Sequence, residues 1–141
     1  MAGTIQHLGM YLHLARASQR RRRPHVRDKL LVLAAEVASN INLPLVAEYC
    51  RFAVLDHNPG HMLKRWTTFS DAMLDDDFLY FLKQVRRRYP PEKAERMLDN
   101  LGIDMAHERD AYYTDQEYAS SLLGISVESL EEMFGDGLDR S

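Results

Sequence analysis

Apolar residues recur at intervals of three and four along almost the whole chain, and this spacing constrains the fold more than any other feature. It places an apolar stripe on one side of each of several helices, as with Ile5, Leu8, Leu12 and Ala15. The alternating β-branched residues that are typical of strands are missing. The sequence therefore predicts an all-α chain, and its 141 residues, 45% of them apolar, fit a single compact domain of about six or seven helices packed as hairpins or a bundle.

Capping and helix-breaking residues predict where these helices begin and end. Thr4 is placed to cap the first helix, and the arginine run with Pro24 ends it. Pro44 is typical of a helix start, Ser70 is placed to cap a long helix, and Gly102 is typical of the left-handed position after a helix end. The later helices are predicted at about residues 25–40, 44–57, 70–88, 92–101, 114–123 and 126–134, with room for a short helical segment at 62–66.

Charge divides the chain into two regions of opposite sign. Residues 1–96 hold 16 Lys and Arg against 10 Asp and Glu, whereas residues 97–141 hold 2 against 11. Thr114 and Glu117 form the pattern of a capping box, which predicts that the acidic region is folded. Residues 1–141 are therefore interpreted as one all-helical domain with a basic N-terminal region, residues 1–96, acidic helices 97–135 and a frayed end 136–141.

The densest cationic cluster is the run Arg20, Arg21, Arg22 and Arg23, with Arg27 close behind. Such a cluster binds phosphates by counterion release, so one hypothesis for the whole protein is a nucleic-acid-associated regulator that uses these residues to bind phosphates or other anions. A solvated loop between two helices explains the same run. A third hypothesis pairs this loop with residues 104–136, either within one chain or between copies in a homo-oligomer.

Two helices joined by a tight turn make up residues 30–61, and the second is followed by Pro59. This segment resembles a single tetratricopeptide-type hairpin, in which small residues allow close packing and a proline stops the second helix. The resemblance implies a protein or peptide partner bound in a helical groove, as in an adaptor or scaffold subunit, and we expect Tyr49 and Arg51 to contact it. A generic helical hairpin in an unrelated bundle is the alternative. The residues near the expected offsets are Leu30, Leu33, Ala34, Val37, Cys50 and Ala53.

A second segment, Glu117 to Phe134, has two short helices separated by Gly124 and resembles a helix-turn-helix. In that motif the second helix lies on DNA. Here it carries Glu128, Glu131 and Glu132 without any cation, which repels phosphate. We therefore interpret this segment as a structural turn between helices.

Catalytic and metal-binding patterns are weak throughout the sequence, which contains no Walker loop, nucleophile elbow or Gly-rich dinucleotide turn. His57 and His61 are four residues apart, but a helix-breaking turn separates them, so only a turn-borne pair with Asp56 stays open. Cys50 and His57 would lie about 10.5 Å apart on one helix, which is beyond hydrogen-bond reach. We therefore predict no catalytic residue, no metal site and no cofactor, and favour a non-catalytic protein over an enzyme.

The single cysteine, Cys50, allows no internal disulfide, and no apolar run reaches the roughly 18 to 20 residues that a membrane span needs. We expect a cytoplasmic protein without a membrane partner. The first 27 residues lack acids and carry six arginines, which is also the composition of a targeting segment. Between these two interpretations we favour an ordinary first helix.

Overall fold

The computed structural model describes residues 3 to 139, with side chains described from residue 3 to residue 135. Within this range there are eight α-helices and no strand, which confirms the predicted all-α fold. Two short 3₁₀ helices, Met62–Arg65 and Arg109–Ala111, lie in the connections. The α-helices are α1 Ile5–Arg20, α2 Pro24–Asn40, α3 Pro44–His57, α4 Phe69–Ala72, α5 Asp76–Arg88, α6 Pro91–Asn100, α7 Asp115–Leu123 and α8 Val127–Asp139.

Several predicted caps are confirmed at atomic detail. The hydroxyl of Thr4 accepts the backbone N–H of His7 at the start of α1. Thr114 and Glu117 form both hydrogen bonds of a capping box at the start of α7. Gly124 ends α7 in the left-handed conformation, with φ of 74°, where a side chain would be strained.

The prediction of one helix capped by Ser70 is wrong. The hydroxyl of Thr68 caps the single turn α4, and the carboxylate of Asp75 then caps α5 by accepting the N–H of Asp77. Asp75 has extended backbone angles, so the helix cannot run through it. Two local caps therefore divide the predicted helix in two.

Three of the helices begin at a proline and have no side chain capping them. These are α2 at Pro24, α3 at Pro44 and α6 at Pro91. Proline suits the first helical position because its missing N–H would have no partner inside the helix.

The helix α2 is the centre of the fold. Residues 30 to 38 of α2 are all buried, because α1 and α3 pack against it and α5 also contacts it. The acidic helices cover the other faces, with α7 packed on α1 and α8 packed on α3. Small apolar side chains, including Ala34, Ala38 and Cys50, are completely buried where α2 meets α3. The predicted helical hairpin is therefore present and lies inside the domain, flanked by other helices.

Close approach of α7 to α1 depends on Gly9. A β-carbon at Gly9 would collide with the hydroxyl of Tyr118 and lie 2.6 Å from the methyl carbon of Met105. The Tyr118 hydroxyl donates to Glu108 over 2.6 Å, and His13 lies 2.7 Å from the same carboxylate oxygen. This cluster holds the connection before α7 against α1.

The C-terminal helix α8 is helical to Asp139. Arg140 and Ser141, at the end of the segment predicted to fray, lie outside the described residues. Among the described helices, none combines the length and the apolar character that crossing a membrane requires.

Candidate functional site

A groove of about 510 Å³ opens between α1, α2, α5 and the start of α6, and we call it the cationic groove. Its floor is apolar, formed by Leu33 and Val37 of α2 with the rings of Pro90 and Pro91. Its rim on the α5 side carries the cations Lys83, Arg86 and Arg87. A pocket with an apolar floor and a few polar groups at its edge is typical of ligand and peptide sites.

The lining of the cationic groove contains one carboxylate, that of Glu36, and it is paired. Arg86 donates from Nη1 to the carboxylate of Glu36, whose side chain is largely buried. Burial raises the pKa of Glu36, and the guanidinium of Arg86 opposes that rise. The Tyr11 hydroxyl donates to the carbonyl of Tyr89 over 2.8 Å, and burial, with help from the Glu36 and Glu92 charges, raises its pKa to about 12. Both groups are therefore held by contacts within the chain.

Two rim cations are uncompensated as far as the described side chains extend. Neither Lys83 nor Arg87 takes part in an ion pair among the residues that the structure describes. The groove lining therefore carries three cations against the single carboxylate of Glu36. Its potential favours an anionic ligand.

Exposed apolar side chains continue from the groove along α5. Leu79 is 36% exposed and Tyr80 is 68% exposed. They precede Lys83 by four and three residues, so they lie beside it on one face of α5. The face formed by Leu79, Tyr80, Lys83 and Arg87, which we call the α5 face, is both apolar and cationic.

The structure places the predicted interaction residues in contacts within the chain. Arg51 is only 17% exposed in its side chain, and its Nη2 donates to the carbonyl of Trp66. Tyr49 is half-buried and packs its ring against Phe52 and against Phe134 of α8. The α8 helix thus covers part of the hairpin face that the tetratricopeptide resemblance indicated. The interaction role of Tyr49 and Arg51 stays a prediction.

The predicted anion-binding residues fall into two groups. Arg20, Arg21, Arg22 and Arg23 are exposed and make no ion pair among the described residues. Arg27 is different, since its side chain is 18% exposed and is held by other residues. It donates to Gln19, to Asp28 and to the carbonyl of Ala53.

No ion pair joins residues 20–23 to the acidic segment 104–136, as far as its side chains are described. Three acids of that segment have other partners: Glu108 lies against His13, Asp110 against His107, and Asp115 against Arg109. Pairing within one chain is therefore not seen among the described residues, and head-to-tail pairing between copies stays a prediction.

Histidine contacts are those of a hydrogen-bonded cluster. His57 donates from Nδ1 to the buried carboxylate of Asp28 over 2.7 Å, and its ring lies edge-on to His25. Burial lowers the pKa of His61, against the opposing charge of Asp28, and its Nδ1 accepts the N–H of Leu63. Within the described portion of the chain, no group of three or more His, Cys, Asp or Glu side chains is arranged to hold a metal ion.

Cys50 is completely buried where α2 and α3 meet. Burial raises the pKa of its thiol to about 12, against the nearby charge of Arg27. A thiol in that environment stays protonated and is a poor nucleophile. Its role is to pack between helices, as a small apolar side chain would.

Sequence reasoning missed the cationic groove. Its walls come from residues near 7–11, 33–40 and 83–91, which are far apart in the chain. The sequence pattern that could have indicated this groove is the spacing of Lys83 and Arg87, which places them beside exposed Leu79 and Tyr80 on one helix. Arg86 to Arg88 also suit the last turn of α5 as cations that oppose the helix dipole, and that explanation needs no ligand.

Comparison with protein-family models, with curated proteins and with solved structures finds no match to this chain.

Proposed function

We propose that this chain is a non-catalytic protein-interaction module that binds a segment of a partner protein in the cationic groove and along the α5 face. The observation that carries the proposal is the uncompensated pair Lys83 and Arg87, placed between an apolar floor and the exposed side chains of Leu79 and Tyr80.

The chemistry of the groove specifies the chemistry of the partner. Leu33, Val37 and the two prolines can cover one or two apolar side chains, which supplies affinity through burial. Lys83 and Arg87 can then receive acidic side chains, which supply orientation and faster association. The partner segment is therefore an acidic one with apolar or aromatic anchors.

Exposed aromatic side chains support a protein partner in particular. Tyr80 is 68% exposed on a helix whose other aromatic residues, Phe78 and Phe81, are completely and partly buried. Tyrosine and arginine are enriched where protein interfaces bind most strongly. The α5 face presents both within two helical turns.

Peptide selection on the full chain tests this proposal. A displayed library of random peptides is selected against the protein, and the enriched sequences should combine acidic residues with apolar or aromatic ones. One enriched peptide is then titrated by calorimetry against the wild type and against the double variant Lys83→Ser/Arg87→Ser. Loss of two charge-assisted contacts should weaken binding about tenfold or more.

The matched control is Lys64→Ser/Arg21→Ser, which removes one exposed lysine and one exposed arginine outside the groove. It should bind the peptide as the wild type does. Equal weakening in both double variants, or enrichment without any acidic preference, would contradict binding in the groove.

A second candidate function, association with nucleic acid, is favoured by the exposure of Arg20 to Arg23. Their four charges have no partner among the described residues, and Arg22 has a left-handed backbone with φ of 58°. Such strain in a non-glycine residue is more common at functional positions. Contacts to phosphates would then dominate binding, with no preference for sequence.

Salt dependence distinguishes this second candidate. Binding of a fluorescent oligonucleotide is measured from low to moderate salt, and replacing Arg20 to Arg23 by Ser should flatten the dependence on salt. The charge-matched control replaces four exposed cations elsewhere, Lys64, Lys83, Arg87 and Arg96. Absence of binding at low salt, or equal flattening in both variants, would reject the candidate.

A further inference from the structure

A second cavity, of about 190 Å³, lies between α1, α2, α3 and α7 and is separate from the cationic groove. Four polar side chains converge on it: Arg16, Gln19, Arg27 and Tyr49. Leucines of α1, α2 and α7 form much of its remaining wall. Its volume exceeds the roughly 10 to 15 Å³ that one water molecule requires, so a small solute fits.

The lining of this cavity is cationic. It contains two arginines and neither aspartate nor glutamate. Arg16 is exposed at its edge and makes no ion pair among the described residues. Asp28 offsets part of the charge of Arg27 from outside the lining, and its carboxylate is shared with His57.

Arg27 is held in a fixed orientation, as an anion-binding side chain should be. Its Nε donates to Gln19 over 3.2 Å, and its Nη1 donates to Asp28 and to the carbonyl of Ala53 over 3.2 and 3.3 Å. Its Nη2 makes no hydrogen bond among the described residues. Nε and Nη1 lie on different edges of the guanidinium, so both edges are partly held, and the N–H groups of Nη2 are left for an oxyanion.

Tyr49 adds a further donor. Its ring is held by contacts with Phe52 and Phe134, and its hydroxyl has no hydrogen-bond partner among the described residues. The helix α1 runs from the cavity directly into Arg20 to Arg23, whose exposed charges increase the positive potential at this end of the domain.

We infer that this cavity binds a small phosphoryl group, coordinated by Arg16, Arg27 and Tyr49. The group belongs to inorganic phosphate or to a small phosphate monoester, because the cavity lies between helices and is small. Two arginines and a phenol match the acceptor oxygens of such a group, and the leucine wall limits its size.

The test is a nuclear magnetic resonance titration of the full chain with potassium phosphate, against potassium chloride at equal ionic strength. Phosphate should shift the signals of residues around the cavity, above all Arg16, Arg27 and Tyr49, with saturation. A parallel titration with phenyl phosphate identifies the source, since tighter binding of either ligand assigns the site to inorganic phosphate or to a monoester.

Two variants and one control make the test specific. Arg16→Ser should raise the dissociation constant about tenfold, which corresponds to loss of one charge-assisted contact. Tyr49→Phe, which removes only the hydroxyl, should raise it a few-fold. Arg96→Ser removes an exposed arginine on α6, outside the cavity and away from Arg20 to Arg23 in the sequence, and should leave it unchanged.

The inference is overturned if phosphate causes no saturable shift at the cavity. It is also overturned if Arg16→Ser and Arg96→Ser weaken binding equally, because the affinity would then come from diffuse surface charge. Neither result bears on the cationic groove, whose lining shares no residue with this cavity.

Discussion

Tyr118 of α7 places its hydroxyl against Gly9 of α1, in the space that a β-carbon on Gly9 would occupy. Glu108 accepts a hydrogen bond from that hydroxyl, and burial together with this bond raises the pKa of Tyr118 well above its usual range. The phenol is therefore a neutral donor at any ordinary pH. The hydroxyl lies between Gly9 and Glu108. The helices α1 and α7 can therefore pack this closely only while residue 9 has no side chain.

Replacing Gly9 by alanine should destabilise the protein. Alanine favours a helix over glycine by up to about 1 kcal/mol, but the collision with Tyr118 should outweigh this, for a net loss of about 1 to 3 kcal/mol in the free energy of unfolding. Gly135→Ala is the control, since a β-carbon there meets only the Glu131 side chain at 3.8 Å. Urea unfolding measures both variants. Equal stabilisation by the two alanines would show that α1 and α7 do not pack as described.

Replacing Arg22 by glycine should stabilise the protein. Arg22 has a φ of 58°, a left-handed conformation that glycine adopts freely. We expect a gain of about 0.5 to 1 kcal/mol in the free energy of unfolding. The neighbouring Arg21, with φ of −85°, offers the matched control, and Arg21→Gly should cost a similar amount. A loss of stability in Arg22→Gly would contradict the geometry of this turn.

Stability should depend on the protonation of Glu48, whose carboxylate accepts the backbone N–H of Phe69 in a buried position. Burial raises the pKa of Glu48, although the hydrogen bond from Phe69 and the charge of Arg51 oppose the rise. The folded state therefore binds the proton more tightly than the unfolded state does. The stability that protonated Glu48 contributes is fully present below the pKa of the unfolded state, about 4.3. It is lost as the pH rises through the higher pKa that Glu48 has in the folded state.

Urea unfolding of the wild type and of Glu48→Gln across this pH range measures the effect. The stability of the wild type relative to the variant should decline as the pH rises. Glu95→Gln removes an exposed carboxylate and corrects for the loss of charge alone. A relative stability of Glu48→Gln that does not change with pH would show that Glu48 is not desolvated.

Arg51→Ala should destabilise the segment that connects α3 to α5. Arg51 links α3 to the carbonyl of Trp66, and its Nε is buried without a hydrogen-bond partner among the described residues. Losing the charged hydrogen bond should lower the free energy of unfolding by about 1.5 to 3 kcal/mol and expose residues 62–72 to limited proteolysis. Arg65→Ala, at an exposed arginine, is the control. Unchanged stability with altered partner binding would instead support the predicted interaction role of Arg51.

Local features of this fold could be predicted from the sequence, because they depend on residues a few positions apart. Thr114 and Glu117 lie three residues apart, and the side chain of each accepts a hydrogen bond from the backbone N–H of the other. The helix end at Gly124 depends only on the backbone angles of that residue. By contrast, Arg51 forms its hydrogen bond with Trp66, and Arg86 forms its hydrogen bond with Glu36, fifty residues away. Side chains with several possible partners could not be assigned before the helices were placed, and both proposed ligand sites are of that kind.

The prolines at the starts of α2, α3 and α6 have a consequence for how this protein can recognise an anion. A helix start ordinarily offers several free backbone N–H groups, which bind phosphate and carboxylate without any side chain. Each of these three starts has lost one such donor to a proline ring. Fewer backbone donors remain at these starts, and in both proposed sites the contacts to an anion are assigned to side chains, which are replaceable one at a time. Single substitutions of such surface side chains can change the affinity for an anion while the backbone stays the same.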